Sequence, residues 1–310
     1  MRNIKFILKK LSASAAFYIF GLIFFCTIYI PLTYSSGDAV KINPWASIRA
    51  KDVALLESGW SIPQRVPVSS EDWEDGAFIT GDGKKLYFAF YKGDLFADVA
   101  RNKFNGDIDV YYSNYPFTQK IKEPISESIW SEGGVMISGK DKYYHSNRMN
   151  LSDVDKKAVV DRIYKNGKAL ELGLGNISAN DPHYCAAKNE LYFWVSNGPV
   201  KKEIYVYKNG ISKMLPAPIN EGHVNMQPFL TPDCQTMYFS SGRTADTLWI
   251  YRSKRLGENS WSEPIPVVRS KYGVGEPTLT DDGQKFFFVQ LFKSPKGVFD
   301  CDIFYVGKYK

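Results

Sequence analysis

The amino-acid sequence predicts an all-β fold: a five-bladed β-propeller of four-stranded antiparallel blades, closed by an N-terminal strand and preceded by one transmembrane or signal segment. Three observations carry that expectation. A two-strand motif recurs five times, a third strand-like run follows every copy, and the leading strands fall 57, 48, 46 and 49 residues apart, the period of a propeller blade.

The plainest copy is GEPTLTDDGQKFFFV at 275–289. Residues 227–239 and 181–193 share its layout: Gln227, Asp181 and Glu276 each precede a proline, and an apolar strand returns ten residues later. Residues 76–88 and 133–145 are weaker copies at the same offset. Apolar and β-branched residues flank a short polar corner, so each copy reads as a hairpin. The third strand opens on an acid every time, at Asp107, Asp161, Glu203, Asp246 and Asp302. The fourth is clearest at 261–267, where Pro264 and Pro266 cannot donate ladder hydrogen bonds and so mark a sheet edge. The last copy reaches Lys310 without a fourth strand, but 60–68 (WSIPQRVPV) matches 261–268 (WSEPIPVV) in its Trp-Ser opening and paired prolines. Residues 60–68 are therefore expected to pair with 302–306 as the outer strand of blade five, leaving no blade open.

These residues carry a family resemblance. The stretch 231–243 (TPDCQTMYFSSGR), followed by Asp246, resembles the WD-related repeat of TolB-type propellers, and 82–88 (DGKKLYF) and 282–288 (DGQKFFF) are similar to it as well. The resemblance covers roughly 60–310; Cys234 stands where the pattern has a turn glycine, and the second and third copies lack the Asp-Gly corner. It implies the fold and leaves function open, because such propellers serve as binding platforms and as parts of unrelated enzymes.

Residues 1–10 carry four basic side chains and no acid, and 11–32 form a nearly uninterrupted apolar run. A run of 22 residues meets the roughly 20 needed to cross a bilayer and exceeds the usual 7 to 15 of a signal-peptide core, which favours an anchor. Small residues at Ser35 and Gly37 keep cleavage open, whereas Phe24 and Phe25 before Cys26 rule against a lipobox. The basic flank places the N-terminus in the cytoplasm and the propeller outside it, periplasmic or at the cell surface, and secreted if the segment is cleaved. The expected domains are 1–36 (anchor or signal), 37–58 (a tether whose amphipathic 46–56 segment can form a short helix before Gly59) and 59–310 (the propeller).

Of the formal net charge of +6, four units belong to the N-terminal flank, so the remainder is near neutral and lacks the basic footprint of a nucleic-acid partner. No Cys/His spacing suits zinc, and G-x-S-x-G, H-E-x-x-H and a phosphate-cradling glycine loop are all missing. Beyond Cys26, Cys185 falls on an inner strand, Cys234 in a hairpin turn and Cys301 in a loop expected on the opposite face; all three read as buried small hydrophobes.

Inner strands of a propeller start at one rim of the central channel, and the residues opening the five copies are acidic. Asp181, Gln227 and Glu276 align, and Gly76 and Gly133 follow Asp75 and Glu132. Trp73 and Trp130 each stand two residues before one of those acids, His183 shares a strand face with Asp181, His223 lies in the loop entering blade four, and His145 ends a second strand at the same rim. The plain structural reading makes the acids inter-blade hydrogen-bonding groups and the indoles filler. A functional reading makes Trp73, Asp75, Trp130, Glu132, Asp181, His183, His223, Gln227 and Glu276 a binding surface. On that reading the ring is a platform for an envelope protein, a peptide or a glycan. The alternative is a glycoside hydrolase with Asp75, Asp181 and Glu276 as candidate catalytic carboxylates, on the analogy of five-bladed glycosidases. Asp75, Glu132, Asp181 and Glu276 are also candidate ligands for a Ca²⁺ ion in the channel, compatible with either function.

Overall fold

The computed structural model describes residues 53–101, 103, 107–126, 130–148, 160–198, 200–244, 247–293 and 299–309. In chain order the strands are β1 (Val53–Leu55), β2 (Gln64–Arg65), β3 (Trp73–Ile79), β4 (Lys85–Tyr91), β5 (Asp109–Asn114), β6 (Ile121–Lys122), β7 (Glu132–Ser138), β8 (Asp141–Ser146), β9 (Arg162–Lys165), β10 (Lys168–Ala169), β11 (Ala179–Cys185), β12 (Glu190–Asn197), β13 (Lys201–Lys208), β14 (Ile211–Met214), β15 (Asn225–Leu230), β16 (Thr236–Ser241), β17 (Trp249–Lys254), β18 (Ile265–Ser270), β19 (Val274–Leu279), β20 (Lys285–Lys293) and β21 (Phe299–Gly307), with helix α1 (Leu95–Ala100) between β4 and β5. They form five antiparallel sheets, and the molecule is a five-bladed propeller. Blade one is β3-β4-β5-β6, blade two β7-β8-β9-β10 and blade three β11-β12-β13-β14. Blade four is β15-β16-β17-β18 with β1 added outside, and blade five is β19-β20-β21-β2.

The ring closes as the sequence predicts. Gln64 and Arg65 pair with Tyr305 and Phe304, and Trp60 bridges Lys308. The Arg65 guanidinium also reaches both oxygens of Asp302, at 3.1 and 3.3 Å. The segment before this strand departs from expectation. Val53–Leu55, the end of the stretch read as a short helix, is instead an edge strand paired with Val268, Arg269 and Ser270. Val53 and Leu55 join the core between blades four and five. The apolar run 11–32 and the rest of the tether up to residue 52 lie outside the described residues; among the described residues no helix is long and apolar enough to cross a membrane.

Three hairpin corners share one device. Thr80, Thr231 and Thr280 donate their hydroxyls to Asp82, Asp233 and Asp282 at 2.6–2.7 Å. Each aspartate accepts the amide two residues on at 2.9–3.0 Å. The residue between has left-handed φ: Gly83 at 69°, Gly283 at 63° and Cys234 at 59°. Cys234 thus takes the glycine conformation, and its side chain meets that of Cys185 in a disulfide, with Cα atoms 6.0 Å apart. This corrects the reading of both cysteines as unpaired hydrophobes. Strand β11 runs from the channel opening to the hairpin rim, so its last residue lands beside the next blade's corner. Cys301 is buried and free.

Packing follows the strand period. Phe286, Phe287 and Phe288 are all under 2 % exposed, and alternation sends Phe287 into the core between blades five and one, and its neighbours into the core between four and five. Each such ring contributes about 1.5–3 kcal/mol of burial, which ties adjacent blades and fixes the channel they surround.

Candidate functional site at the acidic collar

Every inner strand slips register once, between Asp75 and Phe78, Gly133 and Met136, Asn180 and His183, Met226 and Phe229, and Gly275 and Thr278. The first bulged residue has left-handed φ in all five: Gly76 59°, Gly134 56°, Asp181 47°, Gln227 58° and Glu276 54°. Bulges of this kind re-aim a side chain out of the sheet, and all five residues line one half-open cavity of about 30 Å³. Glycine adopts this conformation freely; Asp181, Gln227 and Glu276 do so at a cost of roughly 1–3 kcal/mol each, strain that clusters at functional positions.

The collar is strongly acidic for its size. Asp181 (8 % exposed) accepts the Trp194 indole N–H on Oδ2 at 2.5 Å. Its amide donates to Nδ1 of His145 at 3.2 Å, so that nitrogen has no proton to give Oδ1 of Asp181, 3.3 Å away. Glu276 accepts from the Gln227 side-chain amide, and its own N–H donates back to Gln227 Oε1 at 3.3 Å. Burial, then the charges of Asp181 and Asp75, push the Glu276 carboxyl well above its ordinary range. Asp75 stands one residue before the bulge and lines an adjoining chamber of about 20 Å³ with Gln227, Glu276, Tyr272, Leu248 and Cys301. It accepts from Gly76 N–H at 2.8 Å and from the Trp73 indole at 3.4 Å. Burial raises Asp75 to about 6, with the Asp181 charge adding to the rise and the Gly76 hydrogen bond opposing it.

The structure therefore brings together Asp75, Asp181, Gln227 and Glu276. It separates Glu132 and Trp130 from them. Blade two's hairpin is two residues shorter than the others, so the register equivalent of Gly76 is Gly134, and Glu132 is the counterpart of Glu74. Glu132 is 1 % exposed and accepts Ser146 Oγ at 2.9 Å and Arg148 Nη2 at 3.2 Å. Glu74 is likewise enclosed, by Ser70 and Lys120. These two acids are internal ion-pair members. Trp73 is 2 % exposed and meets Phe96 edge-on at 4.9 Å, a packing role, while Trp130 precedes β7 and is half-buried. His183 is buried, with Nε2 3.1 Å from the Leu230 carbonyl; burial lowers it to about 4. His223 is exposed, and its carbonyl accepts Lys202 N–H at 2.9 Å. Second-strand residues facing the bulges complete the site: His145, which the sequence placed at this rim without a role, and Trp194, which it missed and which the repeat offset applied to the second strand finds.

Among the described residues no three histidine, cysteine, aspartate or glutamate side chains could together hold a metal ion, so the carboxylates do not fit the Ca²⁺ centre considered from sequence. Both chambers that these acids line among the described residues are far below the about 300–1,000 Å³ of an ordinary ligand pocket.

No family model matches the chain, and no curated protein matches it. Solved structures do. TolB from Acinetobacter baumannii aligns at 16 % identity and a TM-score of 0.43, over 78 % of this chain and 56 % of that one. A putative TolB from Agrobacterium tumefaciens aligns at 16 % and 0.45, over 80 % and 97 %. The Bacteroides ovatus xyloglucan PUL GH43B protein aligns at 12 % and 0.50, over 78 % and 53 %. The chain spans little more than half of the first and third. At 12 % identity the third likeness, the one of these at a TM-score of 0.50, is one of fold alone.

Proposed function

We propose that this protein is a membrane-anchored, extracytoplasmic binding platform that docks an envelope protein, peptide or glycan at the acidic collar and performs no chemistry there. The observation that carries the reading is the collar itself: strained, re-aimed carboxylates from separate blades converge on a space of about 30 Å³. That space is too small to seat a sugar ring between a proton donor and a nucleophile or its water. It suits the tip of a ligand whose body lies across the rim. The Cys185–Cys234 bridge supports export, since structural disulfides persist in oxidising compartments, and the basic flank and apolar run 11–32 support an anchor with the propeller outside.

One observation favours hydrolysis as the second reading: Asp75, raised to about 6, has the proton affinity of a general acid, and Asp181 and Glu276 are near. A single comparison separates the two. The purified protein is incubated with furanoside and pyranoside polymers, and a photo-crosslinking residue replaces half-buried Tyr272 beside the collar in cells. The platform reading predicts no sugar release and a discrete adduct that disappears in the Asp181→Asn/Glu276→Gln variant at unchanged melting temperature. Sugar release abolished by either substitution would establish the hydrolase instead.

A further inference from the structure

We infer that the collar binds one alkylammonium group, presented as a lysine side chain by the docked partner. The inference rests on the platform reading and names the chemistry of its anchor. Asp181 and Glu276 face the same space with Asp75 close behind, and among the described residues no lysine or arginine lines either chamber. Among the described residues Asp181 Oδ1 is a buried ionisable acceptor without a hydrogen-bond partner, on a residue that lines the cavity. A second oxygen without a partner among the described residues lies behind the adjoining chamber: Ser240 is fully buried, and a Cβ placed on chamber-lining Gly275 would lie 3.1 Å from its Oγ and 2.6 Å from Gln227 Oε1. Unpaired acceptors of this kind are what an incoming donor would satisfy.

Size and donor geometry select the cation. A cavity of about 30 Å³ holds one or two water-sized groups, which admits an ammonium and its first methylene and excludes a guanidinium. An ammonium carries three donors, matching Asp181 Oδ1, the Glu276 carboxylate and the remaining lone pair of Gln227 Oε1. Ca²⁺ would need six to eight oxygens at about 2.3–2.6 Å, an arrangement the described side chains do not provide. The wall beside the acids is apolar, formed by Pro182, Pro228, Pro277 and Phe229, so a lysine stem can lie along it with the charge at the carboxylates. Gly134 keeps the space open: a Cβ there would come within 2.5 Å of Asp181 Oδ1. Burial lifts the Glu276 carboxyl first and the charges of Asp181 and Asp75 add to the rise; a bound cation would offset the part that comes from charge.

The test is calorimetric titration of the full-length protein at constant ionic strength. The probes are n-butylammonium chloride, the peptide N-acetyl-Gly-Lys-Gly-amide, tetramethylammonium chloride and calcium chloride. Saturable binding of the first two is expected, with the last two inert. Glu276→Gln and Asp181→Asn should each weaken binding about tenfold or more, the scale of a charge-assisted hydrogen bond, and melting curves of both variants report whether the fold is kept. Tighter binding of the peptide than of n-butylammonium supports a protein source, and the reverse order would shift the source to a free amine. No saturable heat from either amine, an equal response to tetramethylammonium or calcium, or wild-type affinity in both variants would overturn the assignment. The crosslink at Tyr272 reads the platform separately. An adduct without amine binding leaves the platform with a different anchor, and the loss of both removes the platform too.

Discussion

Opening the Cys185–Cys234 bridge should destabilise the propeller through the unfolded chain more than through lost contacts. The bridge joins blades three and four across a sequence separation of 49 residues. In the loop-entropy description, closing a loop of that length removes about 4 kcal/mol of disorder from the unfolded state. For a domain of this size 1 kcal/mol moves the melting temperature by about 2–4 °C, so reduction should lower it by roughly 8–16 °C. Both sulfurs are buried, at 4 % and 0 % residue exposure, so a Cys185→Ala/Cys234→Ala variant loses packing as well; the reduced wild type isolates the cross-link. The assay is thermal unfolding with and without reductant, paired with thiol titration in denaturant. Two of the four cysteines should react before reduction and all four after it. Four reactive thiols without reductant, or a melting temperature unmoved by reduction, would refute the bridge.

Other expectations follow from the same geometry. Gly134→Ala forces a side chain into left-handed φ and into contact with Asp181 and His145, and should cost roughly 2–4 kcal/mol, whereas Gly139→Ala, with φ 59° and open space around it, should cost about 1; equal urea midpoints for the two would show that the collar yields. Asp75, raised in the folded state from 3.8 to about 6, binds more protons folded than unfolded, so its contribution falls as pH climbs through that window. Relative to wild type, Asp75→Asn should gain stability between about pH 4 and 6, by up to about 3 kcal/mol. His183, lowered from 6.5 to about 4, has the opposite sign, and its contribution grows as pH rises from 4 to 6.5; His183→Gln should gain most at the acidic end, and parallel pH profiles for the two variants would contradict both assignments. Deleting 59–68 removes the outer strand of blade five and should leave an aggregating or unfolded chain, a result checked by light scattering and refuted by a native-like melt.

The architecture was legible because a repeat declares itself. Five hairpins at near-constant spacing, and prolines marking the outer edges, leave one closed ring as the solution, and the Trp-Ser-and-proline match between 60–68 and 261–268 located its seam. Legibility failed where the period is broken or where contacts cross between blades. A constant offset of ten hid the two-residue shortening of blade two's hairpin, which made Glu132 look like a partner of Asp75 when it pairs with Arg148. The Cys185–Cys234 contact depends on which rim a strand ends at, and Val53–Leu55 became a strand because blade four offered an open edge, facts of tertiary neighbourhood that local pattern does not encode. At the collar, sequence named the three carboxylates and Gln227 by their shared place before a proline or a glycine, and put His145 at the same rim without a role, yet left out Trp194; both hold Asp181 from the second strands.

The central claim is that the collar carboxylates are crowded and enclosed, with no lysine or arginine among the described residues lining their chambers. Carboxyl-carbon NMR titration of aspartate- and glutamate-labelled protein measures this directly, with Asp75→Asn and Glu276→Gln assigning the signals. The account predicts Asp75 titrating near 6 and Glu276 well above the ordinary carboxylate range. Both groups titrating near 4, as freely solvated acids do, would contradict it.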